Sequence, residues 1–130
     1  MPDGSPQESN RGLVLLVDDD TAVRRLLKVV LERLGFQVLE ANAGTQAVAM
    51  FAERGNEICC LVLDVVMPGM DGSQTLKYIR QMSPALPAIM VSGYDMDDLQ
   101  VVEPDARPTV YLRKPCTHSE LQDAMALALA

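Results

Sequence analysis

The chain has 130 residues, of which 48% are hydrophobic, and carries a net charge of −7. That length is typical of one domain with a packed core, and the acidic balance argues against nucleic-acid binding through a basic face. The sequence has no apolar run of about 18 residues, so we expect no membrane span, and no signal peptide is recognised. Its three cysteines lack metal or disulfide spacing, which predicts a cytoplasmic protein.

Residues 1–12 are polar and rich in turn formers, so we expect a disordered tail or a remnant of cloning there, followed by one domain over residues 13–130. Near-continuous apolar runs predict strands that are buried on both faces. The shorter, mixed segments 37–40 and 109–112 suit the edges of a sheet. The five predicted strands cover residues 13–17, 37–40, 59–63, 88–92 and 109–112.

Amphipathic segments separate the predicted strands. The first has the apolar spacing of a helix, and Gly35 stands where a helix would end. Its apolar stripe comprises Val23, Leu26, Leu27, Val30, Leu31 and Leu34. Its solvated side is expected to carry Arg24, Arg25, Lys28 and Arg33. Further helices are predicted over residues 45–54 and 73–82, after the capping box of residues 117–120, and more weakly over residues 95–103.

Strands that alternate with helices predict an α/β fold, a single doubly wound five-stranded parallel sheet with helices on both faces. Ligands of such sheets bind beyond the carboxyl ends of the strands. All of the residues at those positions carry polar or charged side chains, which predicts the functional site at that edge. They are Asp18, Asp19, Asn42, Asp64, Ser92 and Lys114.

The chemistry of these side chains indicates phosphoryl transfer. Asp18, Asp19 and Asp64 offer three carboxylates without a histidine or cysteine nearby, which favours a hard cation such as Mg²⁺ (or Mn²⁺) over Zn²⁺. Lys114 adds a positive charge and Ser92 a hydroxyl donor. A metal and a lysine neutralise phosphoryl oxygens while a carboxylate acts as the nucleophile.

Four motifs, each at the end of a predicted strand, carry a family resemblance. They read V-D-D-D at residues 17–20, L-D-V-V-M-P-G-M-D-G at 63–72, M-V-S-G-Y at 90–94 and Y-L-R-K-P at 111–115. In this order they resemble the receiver domains of response regulators in two-component signalling. The resemblance covers the chain from residue 13 onward and implies a flavodoxin-like fold with strand order 2-1-3-4-5.

The resemblance also implies roles for individual residues. Asp64 matches the phosphoacceptor, which would take a phosphoryl group from a sensor histidine kinase or a histidine phosphotransfer protein. Asp19 matches the direct Mg²⁺ ligand, Asp18 the acid that holds the metal through water, and Val66 a backbone carbonyl ligand. Lys114 matches the lysine that pairs with the phosphate, with a cis bond to the following proline.

A conformational output is implied as well. Ser92 matches the hydroxyl that bonds the phosphate, and Tyr111 the aromatic residue that follows it inward, so the face formed by residues 95–130 would change shape and could form a homodimer. The chain would then be a switch and not a turnover enzyme. Val66 replaces a polar residue that often aligns the hydrolytic water, and Tyr94 could shield the site, so we expect slow self-dephosphorylation.

Two other functions compete with this interpretation. A small Mg²⁺-dependent phosphatase would use Asp18 as an aspartyl nucleophile, but its D-x-D-x-[TV] motif meets Ala22 here. A receiver-like domain that only binds partners is disfavoured because the acids, the serine and the lysine are all present. Asp20 and Asp71 are expected to cap helices and to bind no metal.

Overall fold

A computed structural model describes residues 11–93 and 109–130 of the chain. Its five strands form one parallel sheet with the order β2-β1-β3-β4-β5, which confirms the predicted flavodoxin-like topology. The predicted edge segments do lie at the two edges of the sheet. The strands are β1 (Leu13–Val17), β2 (Gln37–Ala41), β3 (Ile58–Asp64), β4 (Ala88–Ser92) and β5 (Thr109–Arg113).

Within residues 11–93 and 109–130, four α-helices cover the two faces of the sheet, close to the predicted positions. They are α1 (Thr21–Arg33), α2 (Gly44–Arg54), α3 (Gly72–Met82) and α4 (His118–Ala128). In the described part of the chain, none of them has the length and apolar character needed to cross a membrane. The helix predicted over residues 95–103, residue Tyr94 and the first ten residues of the predicted tail lie outside the described residues.

The core consists of two apolar layers because successive side chains of a strand point to opposite faces of the sheet. One layer packs beneath α2 and α3 and includes Leu15, Val17, Leu61, Leu63 and Met90. The other packs beneath α1 and α4 and includes Val14, Leu16, Val62, Ile89 and Val91. The central strands are therefore held on both faces, and their carboxyl ends form a rigid edge.

Helix α1 differs from its predicted pattern at two positions. Leu26 was predicted in the inward stripe, but its side chain is 63% exposed. It lies roughly 80° around the helix from the centre of the buried stripe, beyond the width that contacts the sheet. Arg24 was predicted on the solvated side, but its side chain is only 13% exposed because it pairs with Glu40 of β2.

Gly72 brings the first turn of α3 against the end of β3. Its N–H donates to the carbonyl oxygen of Val65 at 2.8 Å. A Cβ at this position would collide with the carbonyl oxygen of Asp64 and lie 2.7 Å from the Cα of Val65. Only glycine permits this approach without movement of the backbone that carries Asp64.

We expect Gly72→Ala to lower the free energy of unfolding by about 2 kcal/mol, the usual scale of overpacking, because backbone atoms must move to admit the methyl group. Urea denaturation measures the change. Gly93→Ala is the matched control, since a Cβ there meets no atom within 4 Å in the described part of the chain. Equal effects of the two substitutions would show that the close approach of Gly72 is unimportant.

Candidate functional site

The register of the parallel strands gathers the predicted site residues at one edge of the sheet. Val17 pairs with Leu63, so the residues that follow β1 lie beside the end of β3. Asp64 pairs with Val91. The N–H of Lys114 donates to the carbonyl oxygen of Ser92 at 2.7 Å. The strand-end prediction for these side chains therefore agrees with the structure.

Three carboxylates meet at this edge. Asp18, Asp19 and Asp64 each offer an oxygen atom, and these atoms lie within 4.8 Å of one another. Asp18 is 1% exposed and Asp64 is 6% exposed, whereas Asp19 faces solvent. Two of the three acids are thus removed from water and need a partner of opposite charge.

Lys114 supplies that charge. Its Nζ atom donates to Oδ2 of Asp18 at 2.9 Å and lies 3.3 Å from Oδ2 of Asp64. Burial alone would lower the pKa of the ammonium group, but the hydrogen bond to Asp18 and the charges of both acids outweigh it and raise the pKa. The Lys114–Pro115 bond is cis, as the resemblance implies.

The carboxyl group of Asp64 lies in a perturbed electrostatic environment. Burial is the largest influence and raises its pKa, the charge of Lys114 opposes that rise, and the charge of Asp18 adds to it. The backbone N–H of Val66 contributes only a long contact of 3.4 Å to Oδ1. A raised pKa makes the carboxylate oxygens more basic than those of an ordinary aspartate, which favours a nucleophilic role.

The donor set at this edge fits a hard divalent cation. All three side chains offer oxygen atoms, with a total charge that one lysine does not balance, and the exposed Asp19 leaves a route from solvent. Carboxylate oxygens are the ligands that Mg²⁺ and Mn²⁺ prefer. Asp18, Asp19 and Asp64 would hold the ion, and the carbonyl group of Val66 follows Asp64 closely enough in the chain to contribute.

Ser92 and Tyr111 occupy different environments. Ser92 ends β4 and is fully buried, whereas Tyr111 in the edge strand β5 is exposed. Tyr111 therefore does not belong to the buried core in this conformation. The switch assigned to the pair, and the interface assigned to residues 95–130, stay predictions because residues 94–108 lie outside the described part of the chain.

Asp20 and Asp71, the other two acids of the motifs at residues 17–20 and 63–72, cap helices, as predicted. Asp20 accepts hydrogen bonds from the N–H groups of Ala22 at 2.9 Å and Val23 at 3.1 Å, at the start of α1. Asp71 forms a capping box with Gln74 at the start of α3. These contacts satisfy free N–H groups at the positive end of a helix dipole, so neither acid needs a metal ion.

One pair near the site was not identified from the sequence. Arg24 donates through Nη1 to the carbonyl oxygen of Asp18 at 2.9 Å and through Nε to Glu40 at 3.0 Å. Its place among four basic residues of one helix indicates only a solvated face. The sequence feature that could have pointed to this pair was Glu40, an acidic residue within a mixed edge strand. Which basic residue pairs with Glu40, however, depends on how α1 packs against β2.

Comparison with known proteins gives consistent matches. The family described as "Response regulator receiver domain" matches residues 14–126. The chain is 37% identical over 113 residues to the sensor kinase CckA of Brucella abortus, and the match covers 87% of this chain and 12% of that kinase. It is 34% identical over 117 residues to the transcriptional regulatory protein ZraR of Escherichia coli O157:H7, covering 90% and 26% of the two chains.

Solved structures agree with these sequence matches. A response regulator receiver domain protein from Clostridium thermocellum superposes with a TM-score of 0.83 at 29% identity, covering 91% of this chain and 94% of that one. The chain spans only about an eighth to a quarter of the length of the two curated relatives, which are a kinase and a transcriptional regulator.

The adjacent acids Asp19 and Asp20 are expected to respond differently to substitution by alanine. Asp20→Ala should lower the free energy of unfolding by about 1 kcal/mol through loss of the cap and leave Mg²⁺ affinity nearly unchanged. Asp19→Ala should abolish Mg²⁺ binding with little loss of stability, because its side chain is exposed. Calorimetric titration with Mg²⁺ and urea denaturation measure the two quantities. Equal losses of Mg²⁺ affinity in both variants would contradict this division of roles.

Proposed function

Because the chain belongs to the response regulator receiver domain family, we propose that it is a signalling switch whose phosphoacceptor is Asp64. Receiver domains of two-component systems accept phosphoryl groups from histidine kinases and bind Mg²⁺ at an acidic pocket. The observation that supports the assignment is the position of Lys114, whose ammonium group contacts the carboxylates of both Asp18 and Asp64.

The proposed reaction transfers one phosphoryl group. An oxygen atom of Asp64 attacks the phosphorus atom of a phosphohistidine, a P–O bond forms, and the P–N bond breaks. The electron pair of the broken bond returns to the imidazole, which takes up a proton. The ammonium group of Lys114, already 3.3 Å from Asp64, balances charge on the phosphoryl oxygens.

The acids next to Asp64 have a separate proposed task. We assign direct metal coordination to Asp19 and Asp64, coordination through water to Asp18, and a carbonyl ligand to Val66. A bound Mg²⁺ supplies charge neutralisation at the phosphoryl oxygens. Asp18 meanwhile keeps Lys114 in place through a 2.9 Å hydrogen bond that joins the loop after β1 to the loop after β5.

We propose that the output passes through Ser92 and Tyr111. Phosphorylation of Asp64 adds charge and new acceptor oxygens beside the buried end of β4. The hydroxyl group of Ser92 would turn to donate to them, and the exposed Tyr111 of the adjacent strand would move inward. Such a two-state response to one local charge is the general basis of phosphorylation switches.

The alternative of an aspartyl-nucleophile phosphatase that uses Asp18 is not favoured. Asp18 is almost completely buried. Its Oδ1 atom accepts from the N–H of Asp20 at 2.9 Å, and its Oδ2 atom accepts from Lys114. Both oxygens of Asp18 thus accept short hydrogen bonds, whereas Oδ1 of Asp64 has only a long contact of 3.4 Å with the N–H of Val66, which favours Asp64 as the nucleophile.

The proposed phosphoryl donor is a sensor histidine kinase or a histidine phosphotransfer protein. The relatives include a kinase and a transcriptional regulator, so the same domain is joined to different outputs. We propose that this domain acts likewise as an input module, with a negative surface that does not itself bind nucleic acid.

Acetyl phosphate with Mg²⁺ is expected to label the protein with one phosphoryl group on Asp64, located by mass spectrometry of peptides. Asp64→Asn should abolish the labelling because the amide cannot act as the nucleophile. Asp71→Asn is the matched control, since asparagine keeps the helix cap outside the site and labelling should persist. Labelling of Asp18 in the unmodified protein would favour the phosphatase and overturn the assignment.

We also expect the phosphoryl group to be lost slowly, because the exposed side chain of Val66 has no polar atom to align a water molecule. Val66→Asn should shorten the half-life of the phosphorylated protein roughly tenfold, less than the effect of a full general base. Val66→Ala, which removes bulk without adding a polar group, should leave it nearly unchanged. If the alanine variant loses phosphate as fast as the asparagine variant, missing water alignment is not the cause.

A further inference from the structure

The guanidinium group of Arg24 connects three segments of the chain. It belongs to α1, pairs with Glu40 of the edge strand β2, and donates to the backbone of Asp18 after β1. The side chain is 13% exposed, so these contacts are largely shielded from solvent. A planar guanidinium with donors in fixed directions can make both contacts at once.

The atom of Asp18 that accepts from Arg24 belongs to the backbone that leads to Asp19. The carbonyl oxygen that accepts from Arg24 belongs to the peptide unit joining Asp18 to Asp19, which is planar. Holding this oxygen therefore fixes the direction in which the chain leaves Asp18 and the position of the Asp19 Cα. Asp19 is exposed, and its backbone direction determines where its carboxylate lies.

Glu40 holds the guanidinium in this orientation. Burial alone would raise the pKa of its carboxyl group, but the hydrogen bonds and charges of Arg24 and Lys28 outweigh that and lower it. Lys28 lies 3.3 Å from the second oxygen of Glu40. Lys28 pairs with the carboxylate of Glu40, whereas Arg24 also donates to the backbone of Asp18. Substituting each of these two cations in turn therefore distinguishes an effect of charge from an effect of geometry.

We propose that Arg24, oriented by Glu40, is a positioning residue that fixes the Asp18–Asp19 peptide so that both carboxylates can bind a divalent cation. This proposal rests on the function proposed above for the acidic site. The proposal predicts that substitution of Arg24 lowers the affinity for the cation. The electrostatic effect alone has the opposite sign, because removing a positive charge near a cation site strengthens cation binding by Coulomb's law. A weakened affinity can therefore arise only from lost geometry.

Titration of Arg24→Met with MgCl₂, followed by calorimetry and by the amide NMR signals of Asp19 and Asp20, tests the proposal. We expect the Kd for Mg²⁺ to rise roughly tenfold, the lower end of the effect of residues behind metal ligands. Lys28→Met is the matched control and should keep or slightly improve the affinity. An unchanged or tighter Kd in folded Arg24→Met would overturn the proposal.

Arg24→Lys extends the test if the methionine variant folds poorly. Lysine keeps the charge but cannot direct donors to Glu40 and to Asp18 in the same way, so we expect a similar loss of affinity. Full affinity in this variant would mean that the fixed donor directions of the guanidinium group are not needed, against the proposal. Absence of Mg²⁺ binding in the unmodified protein would instead contradict the proposed function of the site.

Discussion

The contact of one ammonium group with two buried carboxylates is the interaction on which the site depends. Asp18 and Asp64 lie buried at the ends of neighbouring strands, where burial and the charge of Asp18 raise the pKa of Asp64. Lys114 opposes that rise, and its ammonium group lies 2.9 Å from Asp18 and 3.3 Å from Asp64. Loss of Lys114 would leave two buried carboxylates without this counter-charge, which is among the most destabilising kinds of change in a protein. The ammonium group therefore neutralises part of the site. The three carboxylates still leave a negative charge that can attract a cation.

The parallel sheet makes this arrangement possible because its strands all end at one edge. Two apolar layers hold the central strands from both faces, so the residues just beyond them start from fixed backbone positions. Helix ends complete the edge. Asp20 begins α1 directly after the acids, and Gly72 allows α3 to touch the backbone of Asp64. Packing, capping and charge therefore act on the same few residues.

Much of this could be predicted from the sequence, since periodicity and the strand-end rule require only local patterns. They identified Asp18, Asp64, Ser92 and Lys114 before any contact was known. The contact between Arg24 and Glu40 could not be predicted in this way because it joins residues 16 positions apart through two side-chain conformations. Periodicity likewise marks an apolar stripe but does not give the width of the contact, so it wrongly included Leu26.

The hydrogen bond between Lys114 and Asp18 closes a separation of 96 residues, most of the length of the domain. Contacts of such span slow folding, because closing the intervening chain costs entropy before the contact is gained. A chain leaving the ribosome presents both acids long before the lysine that neutralises them. The reactive site therefore becomes complete only when the last strand is in place, and an unfinished or truncated domain has acids without a counter-charge. The proposed phosphoryl transfer to Asp64 would in this sense report that the sheet has formed as far as β5.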